Sequence, residues 1–352
     1  MRISAEYFRD LVQGRQRGFG ANLQRAGLRL LSWAYAPVVA SRNKLYDWQW
    51  LKSHAAATPV ISIGNLTLGG TGKTPCVEYV SRFYREHDLQ VAILSRGYGQ
   101  DAGPNDEALL LEEALPDVPH LQGADRVELA RIAVEELESE VLVLDDGFQH
   151  RRLRRTLDIV LLDMTDPWGA GRIFPRGLLR ESPRNLSRAH VVILTRCDQA
   201  DAASKRRVRE EVETRSPGIV IVEANHRPLE LMRHGQSSET IEQLQGKAVV
   251  AFCGIGNPGS FRKTLEDLGA KILEFRTFPD HHAYSASDVE DLRNWASKQA
   301  KDCLVVTTQK DLVKLRLPNL GGLALWALRV GLHFEAGQEA LDQKLLAAAS
   351  LV

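Results

Sequence analysis

The stretch VISIGNLTLGGTGKTP, residues 60–75, runs an apolar segment into glycines, a lysine and a threonine. Gly69, Gly70 and Gly72 allow a backbone to approach a ligand closely and to adopt positive φ. Free backbone N–H groups at a helix N-terminus attract phosphate oxygens. In that setting Gly69, Gly70, Thr71, Gly72, Lys73 and Thr74 read as an ATP-binding loop. Lys73 would reach the β- and γ-phosphates, and the Thr74 hydroxyl would hold Mg²⁺. Pro75 suits a first helical turn, where its missing N–H costs nothing. One position resists the pattern: GxxxxGK[ST] asks for glycine where this chain has Thr67.

A phosphate loop works with an acid at the end of a nearby strand, and EVLVLDDG (140–147) supplies Asp145 and Asp146 there. Adjacent carboxylates repel unless a cation lies beside them, which assigns the pair to Mg²⁺. TRCD at 195–198 echoes the NKxD that reads guanine, but Thr195 and Arg196 replace its first two residues. It reads as a loop with a solvated Asp198, and ATP stands as the nucleotide.

The elements that must position these groups follow from the rest of the 352 residues, enough for two cores. Hydrophobic content of 44% and charged content of 26% fit a globular protein, and a net charge of zero provides no field for nucleic acid. Cys76, Cys197, Cys253 and Cys303 are far apart, without zinc spacing, and read as small core residues in a reducing compartment. No apolar run reaches the roughly 18 residues of a spanning helix. The segment 27–41 has too long a polar stretch before it for a signal peptide. Short Val/Ile/Leu runs alternate with amphipathic stretches such as 124–139, predicting an α/β fold with a mostly parallel sheet. The texture changes near residue 225, and a second alternating unit follows. The expected division is a phosphate-loop domain over 1–225, a smaller α/β domain over 226–331, and a C-terminal helix in 332–352 returning to the first. Residues 22–52 mix Leu, Trp and Tyr with Arg25, Arg29, Arg42, Lys44 and Lys52. This suits an amphipathic helix, packed on its own domain or lying in a membrane interface, and Pro37 predicts two short helices rather than one.

In order along the chain stand GNLTLGGTGKTP, LSRGYG, Asp106-Glu107, GADR (123–126), LDDGFQHRRLRRTLDIVLLD, GRIFPRGLLRES, FPDHHAY and TTQKDLVKL. Together they resemble the tetraacyldisaccharide 4'-kinases of lipid A synthesis, over roughly 22–345. The loop with Thr67 is that family's own variant. The resemblance implies a P-loop NTPase-type domain joined to a smaller α/β domain by a two-stranded ribbon. It also implies transfer of the ATP γ-phosphate to the 4'-hydroxyl of a tetraacylated glucosamine disaccharide 1-phosphate, at the cytoplasmic face of the bacterial inner membrane. No obligate protein partner and no nucleic acid are implied. Residue by residue, Lys73 and Thr74 serve phosphates and Mg²⁺, with Glu107, Asp145 and Asp146 supporting the metal. Asp106 matches the proposed catalytic base and His281 its histidine partner, with His282 and His150 as weaker candidates. Tyr98, Arg126 and Arg180 match substrate-binding positions; Arg151, Arg152 and Arg176 are further cations for the 1-phosphate. Asn105 and Thr156 depart from the family pattern. On the expected division, Asp106 and His281 fall in different domains. The bland alternative for the FPDHHAY segment is a loop before a helix capped by Ser287 with Glu290.

Overall fold

The computed structural model describes residues 5–97, 106–280 and 282–350. The first elements in chain order are helices α1 (Ala5–Val12) and α2 (Phe19–Asp47), strand β1 (Val60–Asn65), α3 (Lys73–Glu86) and β2 (Val91–Ser95). Then come α4 (Asp106–Ala114), β3 (His120–Gln122), α5 (Arg126–Glu135), β4 (Val141–Asp145), β5 (Leu157–Asp163), β6 (Val191–Thr195), α6 (Ala202–Arg215) and β7 (Val220–Met232). The remainder is β8 (Glu239–Thr240), β9 (Ala248–Cys253), α7 (Pro258–Asp267), β10 (Lys271–Thr277), α8 (Ala286–Ala296) and β11 (Leu304–Thr308). The chain closes with α9 (Gln309–Leu315), β12 (Asn319–Leu320), β13 (Leu323–Ala336) and α10 (Gln338–Ala349).

Two compact units result: 1–96, 118–225 and 333–352 form one, 97–117 and 226–332 the other. In the first, β3-β2-β4-β1-β5-β6-β7 is a wholly parallel order. Strands β1, β2, β4 and β6 are buried at every residue, which is why they read as unbroken apolar runs. β1 is central, with Ile63 level with Asp145 of β4 and Gly64 level with Val160 of β5. A Cβ on Gly64 would lie 2.6 Å from the Phe148 Cβ, so glycine lets the segment after β4 press on β1. α3 packs on β1, β2 and β4, and Tyr84 of α3 donates to the Leu345 carbonyl of α10 (2.9 Å).

The second unit carries the parallel order β10-β9-β11-β13, with β8 and β12 as short antiparallel additions. β7 and β13, neighbours in strand order, each pass from one unit into the other and supply the predicted two-stranded ribbon.

Three sequence expectations change. Segment 97–117, read as part of the first domain, belongs to the second unit, because Leu109 and Leu110 of α4 bury against Val313 of α9. Asp106 therefore opens a helix of the unit whose span also includes position 281. Residues 19–47 form one helix, not two. Pro37 is exposed, while Ala21, Ser32 and Asn43, three turns apart, form the buried stripe that holds the helix across it. Finally, α8 is capped by Ser285 with Asp288, not Ser287 with Glu290; Ser285 has the extended backbone a cap requires.

Candidate active site

Every functional side chain of the first unit comes from the carboxyl edge of its parallel sheet, where such folds bind ligands. After Asn65 the chain does not turn at once. Thr67 bridges Leu179 in antiparallel fashion, Leu68 N–H donates to the Leu178 carbonyl (2.7 Å), and Arg180 N–H donates to the Leu66 carbonyl (2.8 Å). This position is extended, so it suits a β-branched threonine and does not require glycine. The positive φ values come later, at Gly69 (123°) and Gly72 (90°), and Gly72 caps α3 without any side-chain acceptor. The first turn of α3 thus presents its N–H groups and the positive end of its dipole.

The strand pairing at Thr67 also places Arg180. Its Nη1 lies 2.7 Å from Asp146 Oδ2, and Lys73 Nζ lies 3.7 Å from Asp146 Oδ1. Burial alone would push the Asp146 carboxyl up, but Lys73, Arg180 and Arg126 together hold it below its ordinary value. Asp145, the last residue of β4, is buried beside it. Asp146 itself has a φ of 52°, a left-handed conformation that aspartate tolerates better than most residues.

Oxygen donors from Asp145, Asp146 and Thr74 fit a hard cation such as Mg²⁺, which keeps water and phosphate oxygens in its remaining positions. Among the described residues no group of three His, Cys, Asp or Glu gathers as a metal cage. Glu107 is half-buried on α4 in the second unit.

Other cations are committed locally. Arg126 is buried, with Nη1 3.3 Å from His150 Nδ1. Burial first, and then Arg126, Arg155, Arg42 and Arg152, push His150 down to about 4, so the ring is neutral and accepts. Arg151 pairs with Asp47 at the end of α2 (2.7 Å), Arg152 with Asp125 (2.8 Å), and Arg176 Nη1 donates to the Val12 carbonyl (3.1 Å). His282 is held within its own unit: Nε2 lies 3.1 Å from Asp288, and the ring stacks on Phe278. Tyr98, the Asp106 side chain and His281 lie outside the described residues.

Sequence reasoning missed two groups. Glu181, 1% exposed, accepts from Asn43 (2.9 Å), Gln149 (2.9 Å), Asn185 (2.6 Å) and Arg188 (2.9 Å), tying α2 to the segment after β4. Gln149 also accepts from Arg180 (3.3 Å). The second group touches the phosphate loop. Asn65 Nδ2 donates to the Gly69 carbonyl (3.4 Å) and Thr71 Oγ1 (3.1 Å), and Thr195 Oγ1 donates to the Thr71 carbonyl (3.0 Å). Arg196 Nη2 donates to the Gly70 carbonyl (3.1 Å) while its Nη1 pairs with Asp163. TRCD was therefore underread: Asp198 is exposed as expected, but Thr195 and Arg196, its first two residues, contact the loop.

A phosphate loop opening an uncapped helix, a lysine and an arginine on one ionised aspartate, and oxygen donors beside them define a phosphate-loop phosphotransferase site. The chain matches the family model described as tetraacyldisaccharide-1-P 4'-kinase over residues 24–350. It is 40% identical over 314 residues to the tetraacyldisaccharide 4'-kinase of Syntrophus aciditrophicus (strain SB), covering 82% of this chain and 83% of that one. It is 38% identical to the tetraacyldisaccharide 4'-kinase of Anaeromyxobacter sp. (strain Fw109-5), covering 95% and 94%. Among solved structures it is similar to the "apo" form of LpxK from Aquifex aeolicus in complex with ATP, with a TM-score of 0.76 and 31% identity, covering 92% of this chain and 99% of that one. The chain belongs to the tetraacyldisaccharide-1-P 4'-kinase family, and its activity is that of a lipid A 4'-kinase.

Proposed function

We propose that the chain transfers the γ-phosphate of ATP to the 4'-hydroxyl of a tetraacylated glucosamine disaccharide 1-phosphate while lying against the cytoplasmic face of the inner membrane. The observation that carries the chemistry is Asp146 held between Lys73 and Arg180 at the mouth of α3. Phosphoryl transfer asks the protein for positioning and for positive charge where negative charge develops. Lys73 and the first N–H groups of α3 would meet the β- and γ-phosphates, and Thr74, Asp145 and Asp146 would hold Mg²⁺; Glu107 is a further acid for the metal by resemblance alone. When bound, Mg²⁺ would supply positive charge to offset the charge of the phosphate group being transferred. Arg126 and Arg180 supply cations for a substrate phosphate, and Tyr98 is a sugar-binding residue by resemblance alone.

A sugar hydroxyl is far too weak an acid for a carboxylate to ionise beforehand. In a loose transition state its proton leaves late, so Asp106 needs only to orient the hydroxyl and accept the proton as bonding develops. By resemblance, His281 would hold that carboxylate and pass the proton on. His282 is less suited, since its ring serves the cap of α8.

Membrane attachment is supported by α2. Leu23, Leu30, Leu31, Trp33 and Val38 are each more than half exposed, on the side away from Ala21, Ser32 and Asn43. Trp48 and Trp50 are exposed just beyond its end. Among the described residues no helix is long and apolar enough to cross a membrane, so α2 would lie in the interface, with the exposed Arg29 and Lys44 toward headgroups, while Arg25 donates to the Leu11 and Gln16 carbonyls.

The test is ATP consumption with and without the acylated disaccharide 1-phosphate. Turnover should depend on the acceptor; equal turnover without lipid would instead indicate a nucleotide-hydrolysing switch.

A further inference from the structure

The phosphate loop is held from behind, carbonyl by carbonyl. Gly69, Gly70 and Thr71 are consecutive, and each carbonyl accepts from a side chain at the carboxyl end of a strand: Asn65, the last residue of β1, then Arg196, just after β6, and Thr195, its last residue. Thr195 and Asn65 are fully buried. Arg196 occupies the left-handed region (φ 55°), a conformation disfavoured for arginine, and is itself anchored by Asp163.

A trans peptide is planar, with its C=O and the following N–H directed oppositely. Fixing the carbonyl of Gly69 therefore fixes the N–H of Gly70 on the other side. The same holds for Gly70 and Thr71, and for Thr71 and Gly72. Among the described residues these three N–H groups donate to no protein acceptor, and they lead directly into the uncapped start of α3. Successive N–H groups aimed the same way form a concave anion site. Left unbraced, three glycines in a stretch of four residues would sample many conformations, and ordering them would oppose ligand binding.

We propose that Asn65, Thr195 and Arg196 are positioning residues that set this nest of N–H groups before the nucleotide arrives, without touching the phosphates themselves. Arg196 works through its bond to the Gly70 carbonyl, and Asp163 keeps its guanidinium from swinging forward to the anion. The proposal rests on the phosphate-site reading given above, and it accounts for how a loop without the usual first glycine remains an anion cradle: rigidity comes from strand-end side chains.

The experiment measures affinity for ATP and ADP by titration, and KM for the lipid acceptor, in the full-length wild type and in Thr195→Val, Thr195→Ser, Arg196→Ala and Lys73→Ala. Thr195→Val and Arg196→Ala should weaken ATP and ADP alike by at least ~10-fold, the worth of a lost hydrogen bond in such a setting. Lipid KM should stay unchanged and thermal unfolding should remain cooperative. Thr195→Ser, which keeps the hydroxyl, should retain affinity. Wild-type ATP affinity in folded Thr195→Val and Arg196→Ala, alongside an impaired Lys73→Ala, would overturn the bracing and leave the phosphate site standing. Wild-type affinity and turnover in Lys73→Ala would remove the site and the proposal together. If Thr195→Val fails to fold, Arg196→Ala, whose side chain is partly exposed, decides.

Discussion

Asp146 shows how one residue reports its surroundings. Buried carboxyls lose charge unless cations offset their desolvation. Here two cations in direct contact and a third nearby do so, and the same charges suit an incoming phosphate. His150, four residues on, is the opposite case: burial and surrounding arginines push it to about 4. Its pH effect has a definite sign. Between about 4 and 6.5 the unfolded chain binds a proton at this histidine that the folded chain refuses, so stability falls as pH drops through that window and is fully present above it. Thermal unfolding of wild type and His150→Asn from pH 7 to 4.5 should show the wild type losing more stability; parallel curves would mean that the ring is not held neutral. Lys73 and Asp146, singled out in the sequence by residue type and spacing, lie 3.7 Å apart in the fold. Thr67 looked anomalous because a spacing rule assumes a turn where this chain makes a strand bridge.

At the scale of elements, hydrophobic pattern did most of the predicting. The parallel strands were legible because burial on both faces leaves no polar alternation. Other elements were less so, for physical reasons. Pro37 argues for a helix break locally, yet Ser32 donates to the Ile173 carbonyl (2.9 Å) and Asn43 to Glu181 (2.9 Å), anchoring α2 on both sides of it. These are contacts across more than a hundred residues, and no local window contains them. The same holds for TRCD, whose Thr195 and Arg196 are read correctly only once β6 is placed near β1. The exposed face of α2 gives a prediction at this scale. Replacing Leu30, Trp33 and Val38 together by glutamate should weaken flotation with anionic lipid vesicles by at least ~10-fold, since apolar burial and cationic attraction are both reduced. ATP affinity should be retained. Undiminished flotation would locate the membrane contact elsewhere.

For the whole molecule, the chain passes between its two units at residues 96–97, 117–118, 225–226 and 332–333. The last two crossings lie in β7 and β13, and the change in composition near 225 signalled the first of these. The excursion of 97–117 carried no such signal, because α4 is an ordinary apolar helix whose partner, α9, lies some two hundred residues away. The central claim is a reaction joining nucleotide, protein and lipid: a phosphoryl group leaves ATP and arrives on one particular oxygen. The most direct measurement supplies ATP labelled in its γ-phosphate and the tetraacylated disaccharide 1-phosphate to the full-length protein with Mg²⁺, and maps the label in the product. The account predicts label on the 4'-oxygen with the 1-phosphate intact. Label released as inorganic phosphate whether or not lipid is present, or attached at any other position, would contradict it.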